Sequence, residues 1–263
     1  MHGLFLIISF IFGTLIGSFL NVLILRLPEG ESILGRSHCP RCGHNLRAWE
    51  LIPVFSFIFL RGKCRSCKNL ISVRYPLIEI ITGFLFAACF FVVNPSSYFE
   101  ILFLLELWFL VGLSIVVFVV DLEHFLILDS VVFTSLAIAF AFQLAAINQS
   151  ASPFTYLLLV VVGALAGALP FYLIWFFSRG RFMGFGDVKL MLPLGVLLSW
   201  PNVWVAEFLA IILGSIVGVF LLVVGEKNLK SRLPFGCFLV VGAIIVKIWG
   251  NEILAWYLAF LGV

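Results

Sequence analysis

Three aspartates, Asp121, Asp129 and Asp187, are the residues of this sequence whose positions point most directly to chemistry. Asp121 closes one long apolar run, and Asp129 and Asp187 open two others. Ionisable groups in or beside membrane spans are costly and usually functional. Two carboxyl groups held close together share a proton, because both cannot ionise at short range. One can then act as a base on water while the other, protonated, polarises a carbonyl, which is the chemistry of peptide hydrolysis.

Each aspartate taken alone also has a structural interpretation. Asp129 and Asp187 suit helix N-caps, and Asp121 suits a charged helix end at the interface. The GFGD tetrad at 184–187 favours a functional site, because Gly184 and Gly186 let the backbone approach a partner segment or substrate closely. His124 is the only histidine near the acids, and either tunes Asp121, binds substrate or is a plain interfacial residue.

A second chemical pattern consists of two CxxC pairs separated by 21 residues. Each pair forms a turn that aims two thiolates at one point, so that the two turns make a tetrahedral zinc site. The four ligands are Cys39, Cys42, Cys64 and Cys67. A closed shell of four thiolates leaves no open coordination position, which indicates a structural metal. The alternative is redox cycling of one or both pairs, which a cytoplasmic location and the symmetry of the pairs disfavour.

The elements that must position these residues are membrane helices. Of the 263 residues, 63% are hydrophobic and 11% charged, whereas a soluble domain is about a quarter charged. Apolar runs predict an all-α polytopic bundle of about eight transmembrane spans, with a final interfacial piece at 253–262. The predicted spans are 3–25, 76–94, 101–120, 129–147, 154–177, 189–200, 203–224 and 235–249. The stretch 200–202 is either a turn or a kink within one bent element.

Basic residues set the predicted orientation. Fifteen of the sixteen fall in three segments that lie on one side if the spans alternate, namely 26–75, 178–189 and 225–234. Those loops and the 121–128 break are then cytoplasmic, and the N-terminus lies outside. The predicted domains are a first transmembrane helix (1–25), a cytoplasmic four-cysteine zinc domain (26–75) and a polytopic membrane domain (76–263). The zinc domain is too short to form a hydrophobic core that is stable by itself, so its fold is expected to depend on the bound metal.

With these features in order, the sequence resembles the bacterial type IV prepilin leader peptidases, of the bifunctional kind that also N-methylate their product. The resemblance covers nearly the whole chain and rests on six ordered motifs. These are GSFLNV (17–22) with RLP (26–28), the two CxxC pairs, SVRYPLIE (72–79), DLEHFLILD (121–129), GFGDVK (184–189) and LPFG (233–236).

The resemblance implies a GxGD-type aspartic peptidase of the bacterial inner membrane. Its substrates would be prepilins of type IV pili or pseudopilins of type II secretion, cut at the cytoplasmic membrane face. The motifs imply Asp121 and Asp187 as the catalytic pair, with Asp129 as the alternative partner. Gly184, Gly186, His124 and Lys189 would support them. One departure is Leu128, where the family usually has proline, which is expected to loosen the loop.

The resemblance also implies methylation of the new amino terminus, usually a phenylalanine, by S-adenosylmethionine. Polar residues grouped around the zinc domain are expected to hold this second chemistry: Asn21, Arg74 and Glu79. Arg74 and Glu79 could equally form an ion pair or anchor a helix at the interface. The sequence has no Gly-rich dinucleotide fingerprint, so the cofactor site must be of another kind.

Two other functional classes fit only parts of the sequence. A transporter with a regulatory zinc knuckle predicts acids near the bilayer midplane, and Glu106 and Glu207 do lie within predicted spans. A membrane thiol oxidoreductase predicts cysteines on the outer face, opposite to the side that the charge bias indicates. The net charge of +3 is too small to suggest nucleic acid as a partner, which leaves the lipid bilayer and pilin-like proteins.

Overall fold

The computed structural model describes residues 2–147, 152–225 and 233–261. Nine α-helices and a short 3-10 helix, Ala48–Leu51, lie in these ranges. The helices are α1 (His2–Arg26), α2 (Phe55–Phe59), α3 (Arg74–Val93), α4 (Tyr98–His124), α5 (Asp129–Ala146), α6 (Pro153–Ser178), α7 (Phe185–Leu198), α8 (Asn202–Val223) and α9 (Phe235–Leu261). Within these ranges the only β-structure is two isolated bridges. The predicted all-α architecture is confirmed.

Seven of the described helices are long and apolar enough to cross a membrane. They are α1, α3, α4, α5, α6, α8 and α9. Their bounds match predicted runs to within a few residues at most ends, which confirms the integral membrane class. The predicted run 189–200 corresponds to α7, whose 14 residues span about 21 Å, less than the roughly 30 Å of a hydrocarbon core. The described residues thus form seven membrane-length helices and one shorter helix, where about eight spans were predicted.

The short helix α7 is a core element of its own unit. It packs against α5, α6, α8 and α9, and nine of its 14 residues are buried. After Lys189 the helix is apolar on all sides. Such a helix is stable when protein encloses it, so α7 does not need the length of a lipid-facing span. A turn at Trp200–Pro201 separates α7 from α8. The 200–202 stretch is therefore a turn between two helices and not a kink within one.

The contacts divide the chain into two compact units, Met1–Val116 and Val117–Val263. In the first unit α1 packs along α3 through small residues. A Cβ added at Gly13 would lie 2.8 Å from the Cα of Gly83, and one at Gly17 would lie 2.8 Å from the Cα of Glu79. Small residues allow membrane helices to approach this closely. The packing brings the polar end of α1 against the polar start of α3.

The carboxyl-terminal part of the second unit is one interrupted helix. The predicted interfacial piece at 253–262 belongs to α9, whose backbone leaves helical geometry at Trp249 (φ −122°, ψ 16°). The third basic segment, with Lys227, Lys230 and Arg232, lies outside the described residues. So does most of the stretch between the predicted spans 129–147 and 154–177.

Candidate active site

Asp121 and Asp187 line one pocket of about 380 Å³ in the unit Val117–Val263. Asp121 lies in the last turn of α4, and Asp187 lies in the first turn of α7. The two carboxyl groups are close enough to interact electrostatically. The loop 125–128 between α4 and α5 forms much of the remaining wall. Two neighbouring carboxyl groups at the ends of membrane helices can share a proton and hold a water between them.

The amino-terminal turn of α9 contacts Asp121, which reasoning about the aspartates alone missed. The backbone N–H groups of Cys237 and Gly236 face the Asp121 carboxyl. A Cβ added at Gly236 would lie 2.8 Å from Oδ2 of Asp121, so only glycine leaves room for the carboxylate. Oδ2 is buried and has no hydrogen bond of good geometry within the described chain. The only sequence signal for this contact is the LPFG motif (233–236). The spacing of the motif along the chain does not indicate that its glycine contacts Asp121.

The two glycines of the GxGD motif differ in their surroundings. A Cβ added at Gly186 would lie 2.9 Å from Cβ of Ile127, so the first turn of α7 packs directly on the α4–α5 loop. Ile127 is buried, and its Cδ1 would also lie 3.2 Å from a Cβ at Gly236. A Cβ at Gly184 would meet nothing closer than Oδ2 of Asp187 at 3.9 Å. Packing therefore requires glycine at 186 but not at 184, and Ile127 fills the space between the starts of α7 and α9.

Asp129 lines the same pocket but is already paired. Its Oδ1 forms a salt bridge with Nζ of Lys189, and its side chain is 61% exposed, whereas Asp121 is buried. Nζ of Lys189 also lies 5.5 Å from the centroid of the Phe185 ring. The pair links the first turn of α5 to α7. Asp129 and Lys189 therefore border the site, and the carboxyl of Asp129 is engaged by a cation.

Leu128, where the family usually has proline, adopts a backbone conformation that proline would also adopt. It is the N-cap of α5, with φ −77° and ψ 127°. Proline fixes φ near −65° and lacks an N–H donor. Leu128 donates no hydrogen bond from its N–H in the described structure, while its carbonyl accepts one from Val132. The loop thus keeps a proline-like shape at this position.

His124 lies away from the pocket lining. It is in the last turn of α4, with Nε2 3.9 Å from a carboxylate oxygen of Glu123, and its side chain is about half exposed. The lining residues of the aspartate pocket do not include it. This position fits the interfacial interpretation of His124 better than a part in the aspartate pair.

The four predicted ligand cysteines come together in the first unit. Their Sγ atoms all lie within 4.8 Å of one another, and Sγ of Cys39 is 3.9 Å from Sγ of Cys67. A tetrahedral zinc ion with Zn–S bonds of about 2.3 Å separates its sulfurs by about 3.8 Å. The cluster can therefore bind a metal ion, and its all-thiolate donor set fits zinc.

The electrostatics of the cysteine cluster also suit a cation. Backbone N–H groups of Cys67 and Ser66 lower the pKa of the Cys64 thiol to about 7. The backbone N–H of His44 acts in the same direction on Cys42, but desolvation and the neighbouring thiols outweigh it and raise the pKa of Cys42 to about 11. Four thiols this close cannot all ionise unless a cation offsets their charge.

Matching turns present the two cysteine pairs. The N–H of Gly43 donates to the carbonyl of Cys39 at 2.9 Å, and the N–H of Lys68 donates to the carbonyl of Cys64 at 3.0 Å. Gly43 (φ 68°) and Lys68 (φ 60°) occupy equivalent left-handed positions. Glycine adopts this conformation freely and lysine at a cost. The sequence signals the first turn through its glycine but gives no comparable signal for the second.

Asn21 on α1 and Glu79 on α3, two of the residues expected to hold the second chemistry, both lie where these two helices meet. Nδ2 of Asn21 donates to the carbonyl of Tyr75 at 3.1 Å, and its buried Oδ1 has no hydrogen-bond partner in the described residues. Glu79 accepts a hydrogen bond from the N–H of Val54 at 2.7 Å and interacts with the Ser18 hydroxyl. The GSFLNV and SVRYPLIE motifs are thus two halves of one interface.

A cavity of about 470 Å³ lies between the end of α1, the 26–75 segment and the start of α3. Asn21 and Glu79 line it, together with Cys39 and Cys64 from the cluster. Three further carboxylates of the lining are Glu29, Glu31 and Glu50. The expected third residue, Arg74, is not among the lining residues. The volume lies in the range of roughly 300–1,000 Å³ that small-molecule and cofactor sites occupy.

The fold and its two sites define a polytopic helical membrane protein with a paired-aspartate pocket and a four-cysteine domain. Comparison with known proteins gives the same division. The bacterial peptidase A24 N-terminal domain matches residues 11–93, and the type IV leader peptidase family matches residues 108–219.

Three relatives match nearly the whole chain. The prepilin leader peptidase/N-methyltransferase of Pseudomonas putida is 34% identical, over 98% of this chain and 95% of its own. Proteins of that name from Aeromonas hydrophila (33% identical; 98% and 96% covered) and Pseudomonas aeruginosa (32% identical; 98% and 95% covered) are also similar. No solved structure matches. The chain belongs to the type IV leader peptidase family.

Proposed function

We propose that this protein is an endopeptidase that removes the leader peptides of type IV prepilins or type II secretion pseudopilins, with Asp121 and Asp187 as its catalytic pair. The observation that carries the proposal is the shared pocket, in which the two carboxyl groups interact and Oδ2 of Asp121 has no hydrogen-bond partner in the described structure. The names of the full-length relatives support the same substrate class. The salt bridge of Asp129 to Lys189 favours Asp187 over Asp129 as the partner of Asp121.

Hydrolysis by this pair follows from one shared proton. The ionised carboxyl takes a proton from water as the water oxygen attacks the scissile carbonyl carbon, and the protonated carboxyl donates to the carbonyl oxygen. The tetrahedral intermediate then collapses as the first carboxyl passes the water-derived proton to the leaving nitrogen. A hydroxyl of the intermediate returns a proton to the second carboxyl. The products are the leader with a new carboxylate and the mature protein with a new α-amino group. The N–H groups of Gly236 and Cys237 orient the carboxyl of Asp121 during these transfers.

The proposed topology matches such a substrate. The distribution of basic residues supports a cytoplasmic position for both the four-cysteine domain and the aspartate pocket, with the N-terminus outside. A prepilin places a basic leader on the cytoplasmic side and an apolar helix in the bilayer. The scissile bond then lies at the junction of leader and helix, at the depth of helix ends such as those that carry Asp121 and Asp187.

Incubation of the purified protein with a prepilin and S-adenosylmethionine, followed by intact-mass analysis, tests both proposed activities. We expect loss of the leader mass and gain of one methyl group on the mature product. A matched preparation that carries Asp187→Asn should insert into membranes normally and leave the prepilin intact. Normal cleavage by that variant would exclude the aspartyl mechanism.

We further propose that the first unit N-methylates the released amino group, with S-adenosylmethionine bound in the 470 Å³ cavity. The lining suits that cofactor, which carries both cationic groups and a carboxylate. Oδ1 of Asn21 is a buried acceptor without a partner in the described chain. The lining holds both signs of charge, with four glutamates and the arginines Arg26, Arg41 and Arg65. When bound, the cofactor supplies an electrophilic methyl group. Asn21 and Glu79 would hold the cofactor, and the cavity walls would exclude water, so that positioning dominates this transfer.

Zinc has a structural part in this proposal. The four cysteines would hold the ion, and the ion would tie the two turns together. Two of the cysteines, Cys39 and Cys64, also line the cavity wall. We propose the zinc domain at 26–75 as the methyltransferase-associated region, after a first helix at 1–25, and 76–263 as the peptidase region.

The variant Glu79→Gln separates the two activities. Glutamine keeps an oxygen that can accept the hydrogen bond from the N–H of Val54, so the contact with α2 is conserved. It removes the negative charge, so the cavity loses one carboxylate. We expect leader cleavage at the wild-type rate and methyl transfer reduced by about tenfold, as for one lost charged contact. Full methylation by this variant would remove Glu79 from the cofactor site.

A further inference from the structure

The short helix α2 (Phe55–Phe59) has two different faces. Ser56 and Phe57 line the 470 Å³ cavity, and Leu60 directly after the helix does the same. On the opposite face Phe55 is 62% exposed, and two further large apolar residues are exposed even more: Ile58 at 63% and Phe59 at 78%. An aqueous surface rarely carries three such neighbours, and contiguous apolar patches mark interaction sites.

A hydrogen bond fixes the depth of α2 relative to the first unit's membrane helices. The N–H of Val54, the residue before α2, donates to Oε2 of Glu79 at 2.7 Å. Glu79 lies five residues inside α3, which begins at Arg74, so α2 starts about 7.5 Å along that helix from its charged end. Interfacial helices bury their apolar faces roughly 5–10 Å into the boundary of headgroups and acyl chains.

The backbone at the start of α2 is held in a strained conformation. Val54 has φ 63° and ψ −51°, and the N–H of Phe55 donates to the carbonyl of Pro53 at 2.6 Å. A positive φ is costly for a β-branched residue and persists where the surroundings enforce it. The hydrogen bond from Val54 to the carboxylate of Glu79 therefore holds the amino end of α2 beside α3.

Charge around the exposed face complements a lipid surface. Arg61, Lys63 and Arg65 follow α2 directly and are exposed. Before α2, Trp49 is 41% exposed, and the guanidinium carbon of Arg65 lies 5.2 Å from its ring centroid. Exposed aromatic residues beside a basic cluster are typical of a surface that lies at anionic headgroups.

We propose that the outer face of α2 inserts into the bilayer leaflet that receives the adjoining ends of α1 and α3. The four-cysteine domain is then anchored in the membrane between its two flanking spans. The inner face of α2 closes the 470 Å³ cavity, so the helix forms a wall between that cavity and the acyl chains.

Photocrosslinking in lipid nanodiscs tests this surface. p-Benzoylphenylalanine in place of Phe59 keeps an aromatic side chain at an exposed position, and the same probe in place of Lys68, exposed in the second cysteine turn, is the matched control. Nanodiscs of phosphatidylglycerol and phosphatidylethanolamine hold the full chain, and adducts are identified by intact mass. We expect lipid adducts at position 59 about tenfold more abundant than at position 68, because the probe samples acyl chains rather than water.

Other outcomes would overturn the proposal. A crosslinked dimer at position 59 would make the face an interface between two copies of the chain. An adduct with added prepilin that replaces the lipid adduct would make it a substrate-docking surface. Equal lipid labelling at positions 59 and 68, or none at either, would show that α2 does not lie in the leaflet. The probe in place of Ile58 repeats the test if the Phe59 variant fails to insert.

Discussion

The contact between Gly186 and Ile127 predicts a large difference between two alanine substitutions in one motif. In Gly186→Ala the new Cβ would lie 2.9 Å from Cβ of Ile127, whereas non-bonded carbons prefer about 3.5–4.0 Å. The nearest atom is the branched Cβ of a buried residue, so it cannot swing away. The first turn of α7 must therefore move by about 0.6–1.1 Å relative to the α4–α5 loop, as the difference between these distances requires.

That movement is expected to reach the chemistry, because Asp187 follows Gly186 directly on α7. A misplacement of about 1 Å costs about 100-fold in rate where geometry supplies the catalysis. We expect the cleavage rate of Gly186→Ala to fall by about that factor, with destabilisation of about 1–3 kcal/mol from overpacking. Gly184→Ala is the matched control. Its Cβ would meet only Oδ2 of Asp187 at 3.9 Å and its φ is −73°, so its rate should stay within about threefold of wild type.

The assay is single-turnover cleavage of a prepilin by each purified variant in the same detergent, with thermal unfolding measured in parallel. A wild-type rate for Gly186→Ala would refute the packing argument. Equal losses of cleavage rate in both variants would show that both glycines are needed for the substrate to approach the backbone closely. A Cβ at Gly184 meets no close neighbour in the protein, so packing could not explain its loss.

Three further changes have defined outcomes. Asp129→Asn frees Lys189 but leaves the proposed pair intact, so prepilin cleavage should fall far less than for Asp187→Asn; a complete loss would make Asp129 the partner. The double change Cys39→Ser with Cys64→Ser should abolish the expected one zinc per chain, measured by elemental analysis, and unaltered folding of that protein would dismiss the structural metal. Leu128→Pro should keep activity and raise stability by up to about 1 kcal/mol, because φ is already −77°; lost activity would show that the loop must flex.

The membrane helices and the cysteine cluster are predictable from sequence because their signals are local. An unbroken apolar run of about 20 residues has few alternatives to a span, and two CxxC pairs have few alternatives to a shared metal site. The weakest span prediction concerned α7. The apolar run of α7 is short, so its hydrophobicity does not distinguish a lipid-facing helix from a buried one. The packing of four other helices around α7 shows that it is buried.

The arrangement around the aspartates depends on contacts between remote segments. Nothing in the spacing connects Gly236 with Asp121, since 114 residues separate them along the chain. The different surroundings of Gly184 and Gly186 likewise arise from Ile127 on another element. Arg74 was expected to join Asn21 and Glu79 at the cofactor site, yet the helical phase of α3 leaves it outside the cavity lining.

The most direct measurement of the central claim is a double-mutant cycle on the proposed aspartate pair. Single-turnover cleavage of a prepilin would be compared among wild type, Asp121→Asn, Asp187→Asn and the double variant, each checked for membrane insertion. Because the two residues act as one unit, we predict that either single change lowers the rate by at least about 1,000-fold and that the double variant is no slower. Cleavage by either single variant within tenfold of wild type, or independent losses that multiply in the double variant, would contradict a shared-proton mechanism.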